Sequence, residues 1–194
     1  MIERQIYFAG GCFWGVEKYF SLIPGVLETQ AGYANADISA PSYEAVCTGD
    51  TGAVEAVRVK YDSEQVSLTK LIDMYFKIID PTSVNRQGND VGTQYRTGIY
   101  YSNAGDLMII ELAVYMHARD LEKPLAVELK PLENFYTAEE YHQKYLDKNP
   151  QGYCHIPDSL FLEAAAQDVA KFPSGEELRK QMAEVLYNAT HSER

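Results

Sequence analysis

The alternation of hydrophobic and polar residues predicts a chain in which short strands and amphipathic helices follow one another. In RQIYFAG, Ile6 and Phe8 alternate with polar or small neighbours before two glycines, as in a short strand. Residues 12–23, CFWGVEKYFSLI, carry hydrophobic residues at helical spacing, and the Pro-Gly pair that follows ends the predicted helix. Cys12 is therefore expected where a strand turns into a helix, within the first helical turn.

The same two periodicities continue along the chain. Further strands are predicted in VLETQAGY, AVEAVRVKY, GIYYS and LAVELK. Helices that begin at a polar capping residue are predicted over 67–79 (Ser67), over AGDLMIIELAVYMHARDLEK (Asn103) and over 137–147 (a capping box of Thr137 and Glu140). The remainder of the sequence is acidic and is predicted to be helical, with a second capping box at Ser174 and Glu177.

Two long polar stretches separate these elements, ANADISAPSYEAVCTGDTG and TSVNRQGNDVGTQYRT. They are predicted to be loops, and long loops in a compact domain often carry function. The order of elements predicts an α+β fold: a ferredoxin-like two-layer α/β sandwich with a mixed sheet, long functional loops and a helical C-terminal extension.

Composition narrows the class of protein. A chain of 194 residues is long enough for one domain with a hydrophobic core. The formal net charge of −11, from 28 acidic and 17 basic residues, would repel a phosphate backbone, so no nucleic-acid partner is expected. Hydrophobic runs are too short to span a membrane and the first residues do not resemble a signal peptide, so a cytoplasmic protein is expected.

The three cysteines, Cys12, Cys47 and Cys154, lie far apart in the sequence. Their odd number argues against full pairing in disulfides, and the histidines lack zinc-ligand spacing, so no metal site is predicted. Cys12 is either a small buried hydrophobic residue or a reactive thiolate favoured by the start of a helix. Cys154, in NPQGYCHIP, is either a resolving thiol or a surface residue of no consequence. Cys47 follows two hydrophobic residues and is predicted to be packed.

Two aromatic residues, Phe13 and Trp14, follow Cys12 directly. Adjacent positions on a helix diverge by ~100°, so the two rings cannot face the same way. If the first turn lies at the surface, at least one ring frames a hydrophobic cavity beside the sulfur, of a kind that suits a methyl group. The alternative is that both rings pack in the core.

The polar candidates lie on strands or beside the long loops. Tyr43 and Tyr95 are placed to donate hydrogen bonds to a ligand oxygen, although packing is the commoner role of a tyrosine, and Asp90 lies on the second loop. Glu55, in AVEAVRV, is expected from the residue pattern to face solvent. The alternative is a buried carboxyl whose raised pKa makes it a proton donor near neutral pH.

Several blocks of the sequence resemble one known family. GGCFWG, AGYA, SYEAVCTGDTGAVEAVRVKYD, IIDPTSVNRQGNDVGTQYRTGIYY and FYTAEEYHQKYLDKNPQGYC are similar, in this order, to blocks of the type A peptide methionine sulfoxide reductases. The resemblance implies that Cys12 is the nucleophile, Glu55 the acid catalyst and Cys154 the resolving cysteine, which reverses the solvent-facing expectation for the carboxyl. It implies the following substrate-binding residues: Phe13 and Trp14 for the methyl group, Tyr43 and Tyr95 for the oxygen, and Asp90 in the lining.

The resemblance also implies an activity, that of a peptide-methionine (S)-S-oxide reductase acting on methionine-S-sulfoxide, free or in proteins, in the repair of oxidised proteins. Cys12 would become a sulfenic acid, form a disulfide with Cys154 and be recycled by thioredoxin, with no metal or organic cofactor. The implied domains are a catalytic domain over 1–157 and a helical, linker-like extension over 158–194. From the residues alone, a thiol peroxidase and a non-catalytic module that binds oxidised methionine are the alternatives.

Overall fold

The computed structural model describes residues 1–167, together with Lys180 and Ala183. Its strands are β1 (Glu3–Gly10), β2 (Val26–Ala34), β3 (Val54–Asp62), β4 (Arg86–Gln87), β5 (Asp90–Val91), β6 (Thr97–Tyr101), β7 (Glu128–Pro131) and β8 (Phe135–Thr137). Its helices are α1 (Phe13–Ser21), α2 (Tyr43–Cys47), α3 (Leu68–Phe76), α4 (Leu107–Ala118), α5 (Tyr145–Lys148) and α6 (Asp158–Ala165). Short 3-10 helices, Thr93–Tyr95 and Ala104–Asp106, precede β6 and α4.

Within this part of the chain, six strands form one sheet in the order β7-β6-β1-β3-β2-β8. Neighbouring strands are antiparallel except β6 and β7, which run parallel, so the sheet is mixed. β4 and β5 pair with each other in a separate two-stranded ribbon. The predicted α+β class is confirmed.

The core lies between the sheet and two helices on one of its faces. Phe8 of β1 points to this side, where its ring stacks on Phe20 of α1, with centroids 4.5 Å apart, and on Tyr75 of α3, at 5.0 Å. On the opposite face of β1, the ring of Tyr7 contacts Phe135 at 5.1 Å. The central strand is therefore buried on both faces, and the predicted strand in RQIYFAG and the two predicted helices that pack on it are confirmed.

Local capping signals placed two of the helical segments correctly. The Ser67 hydroxyl accepts a hydrogen bond from the N–H of Lys70 at 3.1 Å at the start of α3. The Asn103 side chain accepts one from the N–H of Gly105 and caps the 3-10 turn that leads into α4. The strand predicted in LAVELK is present as β7, which begins three residues later than predicted and extends to Pro131.

The predicted helix over 137–147 is wrong. Thr137 ends β8, where it pairs with Gly32 of β2, and the helical part is only Tyr145–Lys148. Between the two elements, the N–H groups of residues 142 and 143 donate to carbonyls three residues earlier, as in tight turns. Pairing with the edge of the sheet has overridden the local helical pattern.

The predicted C-terminal extension lies partly within the described residues. α6 belongs to it and is tied to α3 by an ion pair between Lys77 and Glu163. The predicted capping box of Ser174 and Glu177 lies outside the described residues. From residue 1 to residue 167, none of the helices combines the length and the apolar character needed to cross a membrane.

Candidate active site

Cys12 lies where the prediction placed it, between the end of β1 and the first turn of α1, as the N-cap of the helix. The turn is made by Gly11, whose φ of +82° falls in the region that favours glycine. A Cβ on Gly11 would also lie only 2.6 Å from the Cβ of Gln87. Cys12 is packed in the core with 7% of its surface exposed, so the sequence alternative of a buried cysteine describes its environment.

Of the two alternatives that the sequence left open for Cys12, the thiolate is disfavoured by the surroundings of the sulfur. Burial raises the pKa of the Cys12 thiol, and Glu55, once it is ionised, raises it further. A hydrogen bond from the backbone N–H of Trp14 favours the anion but is outweighed. The sulfur is therefore a thiol before a substrate binds.

Glu55 is the second element of the site, and its predicted exposure to solvent is wrong. β3 lies between β1 and β2 in the sheet, and Glu55 is only 1% exposed. Its Oε2 accepts a hydrogen bond from the backbone N–H of Phe13 at 3.0 Å. Burial raises the pKa of Glu55 to about 8 despite that bond, so the carboxyl is neutral at pH 7 and can donate a proton.

The two aromatic residues after Cys12 differ in burial, and both rings lie near that of His142, at 5.0 Å for Phe13 and 5.8 Å for Trp14. Phe13 is buried, with its ring 5.9 Å from that of Tyr33. Trp14 is half-buried and stacks on Tyr145 at a centroid distance of 3.7 Å. The indole N–H of Trp14 donates to Nδ1 of His142 at 3.0 Å.

Residues that pattern reasoning missed complete this aromatic wall. His142 is 1% exposed, and its ring contacts those of Phe13 at 5.0 Å and Tyr43 at 4.5 Å. Burial lowers the pKa of His142, so the ring is neutral and can accept the indole hydrogen bond. The only signal in the sequence was its position inside the block FYTAEEYHQKY, which the predicted helix obscured.

Tyr43, the first residue of α2, and Tyr95, the last residue of the 3-10 helix before β6, both interact electrostatically with the carboxyl of Glu55. Burial raises the pKa of the Tyr43 phenol, with further contributions from a hydrogen-bonding contact with Cys47 and from the charge of Glu55. Burial, then the charges of Glu55 and Cys12, raise the pKa of Tyr95. Both phenols are thus protonated donors within electrostatic range of the same carboxyl.

Asp90 of β5 lies beside the segment that carries Cys154. Its Oδ2 accepts a hydrogen bond from the phenol of Tyr153 at 3.1 Å and lies 3.9 Å from Nδ1 of His155. The residues on either side of Cys154 therefore both face this carboxylate. Asp90 also adds to the effect of burial in raising the pKa of Glu55.

Cys154 is half-buried, and its sulfur packs against α1. A Cβ added to Gly15 would lie 2.7 Å from the Sγ of Cys154, so only a glycine leaves room for the sulfur there. Gly15 follows Cys12 by one helical turn. The second thiol therefore rests on the helix that begins at the first.

Cys47, predicted to be packed, is exposed. Its neighbour Val46 takes the buried side of α2, with 0% exposure, and the next position on a helix diverges by ~100°. All three cysteines are free. No group of three or more His, Cys, Asp or Glu side chains that could hold a metal ion occurs among the described residues.

These groups can carry out thiol-based redox chemistry. A neutral carboxyl can protonate an oxygen, a thiol beside it can take that oxygen over, and a second thiol packed against the same helix can close a disulfide. The fold and the site thus define a thiol-dependent oxidoreductase of the α+β class. Residues 4–172 match the family model described as Peptide methionine sulfoxide reductase. The chain belongs to this family, and the resemblance seen in the sequence is confirmed.

Individual relatives lead to the same family. Peptide methionine sulfoxide reductase MsrA of Clostridium acetobutylicum is 57% identical over 157 residues, which is 81% of this chain and 97% of the relative. Mxr1 from Saccharomyces cerevisiae in reduced form has a similar structure, with a TM-score of 0.75 and 38% identity over 80% of this chain and 91% of that one. Methionine sulfoxide reductase A of Corynebacterium diphtheriae gives a TM-score of 0.76 and 37% identity, covering 80% of this chain and 84% of that one.

Proposed function

We propose that the protein reduces methionine-S-sulfoxide, free or within proteins, to methionine and thereby repairs oxidised proteins. The observation that carries the proposal is the hydrogen bond from the Phe13 N–H to Glu55, because it fixes a buried, protonated carboxyl beside the helix that begins at Cys12. Relatives that cover most of this chain bear the name of the same activity. The preference for the S epimer follows from family membership alone.

The first half-reaction transfers one oxygen atom from the sulfoxide to Cys12. Glu55 donates its proton to the sulfoxide oxygen, Cys12 attacks the sulfur, and the thiol proton replaces the one that Glu55 has given up. The bond between Cys12 and the substrate sulfur then breaks as the hydroxyl oxygen passes from the substrate sulfur to that of Cys12, so methionine leaves and Cys12 becomes a sulfenic acid. Both groups are neutral beforehand, so no buried charge has to be maintained in the resting site.

The substrate is held by its methyl group and by its oxygen. Phe13 and Trp14 enclose the methyl group in the hydrophobic wall, while the phenols of Tyr43 and Tyr95 donate hydrogen bonds to the oxygen as negative charge develops on it. Asp90 lines the site and helps to keep the catalytic carboxyl protonated.

The second half-reaction regenerates the enzyme. The Cys154 thiol attacks the sulfur of the sulfenic acid, a disulfide with Cys12 forms, and water leaves. The dithiol of thioredoxin then reduces this disulfide. The electrons come from thiols at each step, so the cycle needs neither a metal nor an organic cofactor, and it suits the cytoplasm, where thiols are kept reduced.

We also infer a ferredoxin-like arrangement for the fold, and a catalytic domain over 1–157 followed by a linker-like extension over 158–194. The strand order β6-β1-β3-β2, with helices after the first and third of these strands in chain order, supports the first inference. The position of every candidate site residue before residue 157 supports the second.

The proposed activity predicts a strong preference between the two epimers of the substrate, which differ in configuration at sulfur. With thioredoxin as electron donor, we expect the S epimer of a methyl sulfoxide to be reduced about 100-fold faster than the R epimer. In the R epimer the methyl group would face the polar donors and the oxygen would face the hydrophobic wall. Methionine release from the two separated epimers measures this. Faster turnover of hydrogen peroxide would identify a thiol peroxidase instead, and binding without loss of thiols would identify a non-catalytic module.

The acid role of Glu55 predicts how activity depends on pH. Because burial raises the pKa of Glu55 to about 8 and only the protonated carboxyl is an acid, the single-turnover rate should be flat below that pH and fall about tenfold per unit above it. In Glu55→Gln the rate should be about 10²–10⁴-fold lower and the falling limb absent. Glu28→Gln, which alters an exposed carboxylate paired with Arg58 and Lys60, is the control and should keep the limb. A wild-type rate that rises through pH 8 contradicts the assignment.

A further inference from the structure

Trp14 is held from two directions by one short segment of the chain, residues 142–145. His142 at one end of the segment accepts the indole N–H at 3.0 Å, and Tyr145 at the other end stacks on the indole face at 3.7 Å. The segment therefore fixes both the edge and the plane of the indole. What fixes the segment then decides where the indole lies.

The middle of the segment is bound by a residue of α1. The backbone N–H of Lys144 donates to Oε2 of Glu17 at 2.7 Å, and the Glu17 side chain is buried, with 1% exposure. Lys144 has a φ of +50°, a left-handed conformation that is strained for a residue with a side chain and persists only where its surroundings hold it. The bond to Glu17 is one such restraint.

Glu17 and Trp14 lie on the same side of α1, because they are three positions apart on a helix. Segment 142–145 thus meets this helix at two points, the indole and the carboxyl. A second anchor, the side-chain amide of Gln143, bonds the N–H and the carbonyl of Ala31 at 3.0 and 2.9 Å and ties the segment to β2. Gln143 fixes the segment relative to the sheet, whereas Glu17 fixes it relative to the helix that carries Trp14.

We propose that Glu17 is a positioning residue for substrate binding: by holding Lys144 it sets His142 and Tyr145 against Trp14, and so fixes the indole as the wall that receives the methyl group. The inference rests on the proposed function for the role of Trp14, but not for the position of its ring. Glu17 does not reach the reacting atoms and acts through the segment.

The charge of Glu17 is not required for this role. Burial raises the pKa of Glu17 to about 7, against the opposing effects of the N–H groups of Lys144 and Ala31, so both protonation states are populated near neutral pH. Each state keeps an oxygen that can accept from Lys144. A glutamine amide at position 17 should therefore also hold the backbone N–H of Lys144, whereas a side chain without a hydrogen-bond acceptor should not.

Three variants test the proposal. Glu17→Met keeps the side-chain volume and removes the acceptor, Glu17→Gln keeps an acceptor, and Lys18→Ala is the matched control, because it removes an exposed ion pair with Asp147 between the same helix and α5. We expect KM for a methyl sulfoxide to rise about tenfold in Glu17→Met with kcat within about threefold of wild type, since the indole contributes binding that is equal in ground and transition states. Glu17→Gln and Lys18→Ala should both stay close to wild type.

A second readout does not depend on activity. Trp14 is the only tryptophan of the chain, so its emission reports its own environment. Emission should shift to the red in Glu17→Met but not in Glu17→Gln or Lys18→Ala. An unshifted Glu17→Met emission overturns the inference, as does an unchanged KM or a Glu17→Gln variant as impaired as Glu17→Met. If the wild-type protein reduces no sulfoxide and the emission of Glu17→Met still shifts to the red, the position of the indole depends on Glu17 as proposed, whereas the proposed function is refuted.

Discussion

The Cys12→Ser variant is expected to reduce no methionine sulfoxide. Sulfur both attacks the substrate and retains its oxygen as a sulfenic acid, and a serine hydroxyl can do neither. Rates should fall below about 1% of wild type with either epimer, since no other group can replace a covalent nucleophile. Methionine release with an excess of enzyme over substrate measures this without any contribution from the regeneration steps.

The control for this result is Cys47→Ser. Cys47 is exposed, and a serine in its place keeps a polar hydroxyl that can still contact the phenol of Tyr43, so most of the activity should remain. Cys12→Ser places a hydroxyl in a buried position, so its melting temperature should fall by a few degrees at most while the fold is kept. If folded Cys12→Ser still reduces the sulfoxide, or if Cys47→Ser no longer does, the assignment of Cys12 as the nucleophile is wrong.

The Cys154→Ser variant is expected to stop after a single turnover. It should release about one methionine per enzyme, because Cys12 alone can take over the oxygen, and then fail to turn over with thioredoxin, because no resolving thiol forms the disulfide. Mass spectrometry should find Cys12 one oxygen atom heavier.

Thiol titration separates this variant from the wild type. Without a reductant, the wild-type protein should go from three free thiols to one, since a disulfide consumes Cys12 and Cys154. Cys154→Ser should go from two to one, with the remaining thiol at Cys47. Full multiple turnover of the variant with thioredoxin is the result that the proposed relay cannot accommodate.

Local patterns were sufficient for the elements that position Cys12. The alternation around Phe8, the helical spacing after Cys12 and the Ser67 cap are each set by neighbouring residues, and each is confirmed. The solvent-facing expectation for Glu55 rested on the polarity of its side chain and failed, because the alternation places it on the same face of β3 as Val57 and Val59, which is covered by the core. A buried carboxyl was the alternative that the residues left open, and the resemblance to the reductase family selected it.

The aromatic wall was hidden for a different reason. Trp14 and His142 are 128 positions apart, and their hydrogen bond exists only because α1 and the segment 142–145 meet in space. Locally that segment favours a helix, and the pairing of β8 with β2 prevents it. Contacts of this kind depend on the whole fold, so neither His142 nor Glu17 could be assigned a role from the pattern of residues around it.

The absence of a side chain at Gly15 bears on whether the protein turns over repeatedly or is consumed in one reaction. With a methyl group in that space, the sulfur of Cys154 would have to withdraw from α1, while the groups around Cys12 that repair the first substrate molecule would stay as they are. If Cys154 resolves Cys12 as proposed, such a protein would reduce one sulfoxide and then stop, whatever the concentration of thioredoxin. On the proposed mechanism, the hydrogen atom that Gly15 has in place of a Cβ therefore allows one protein molecule to act on many substrate molecules.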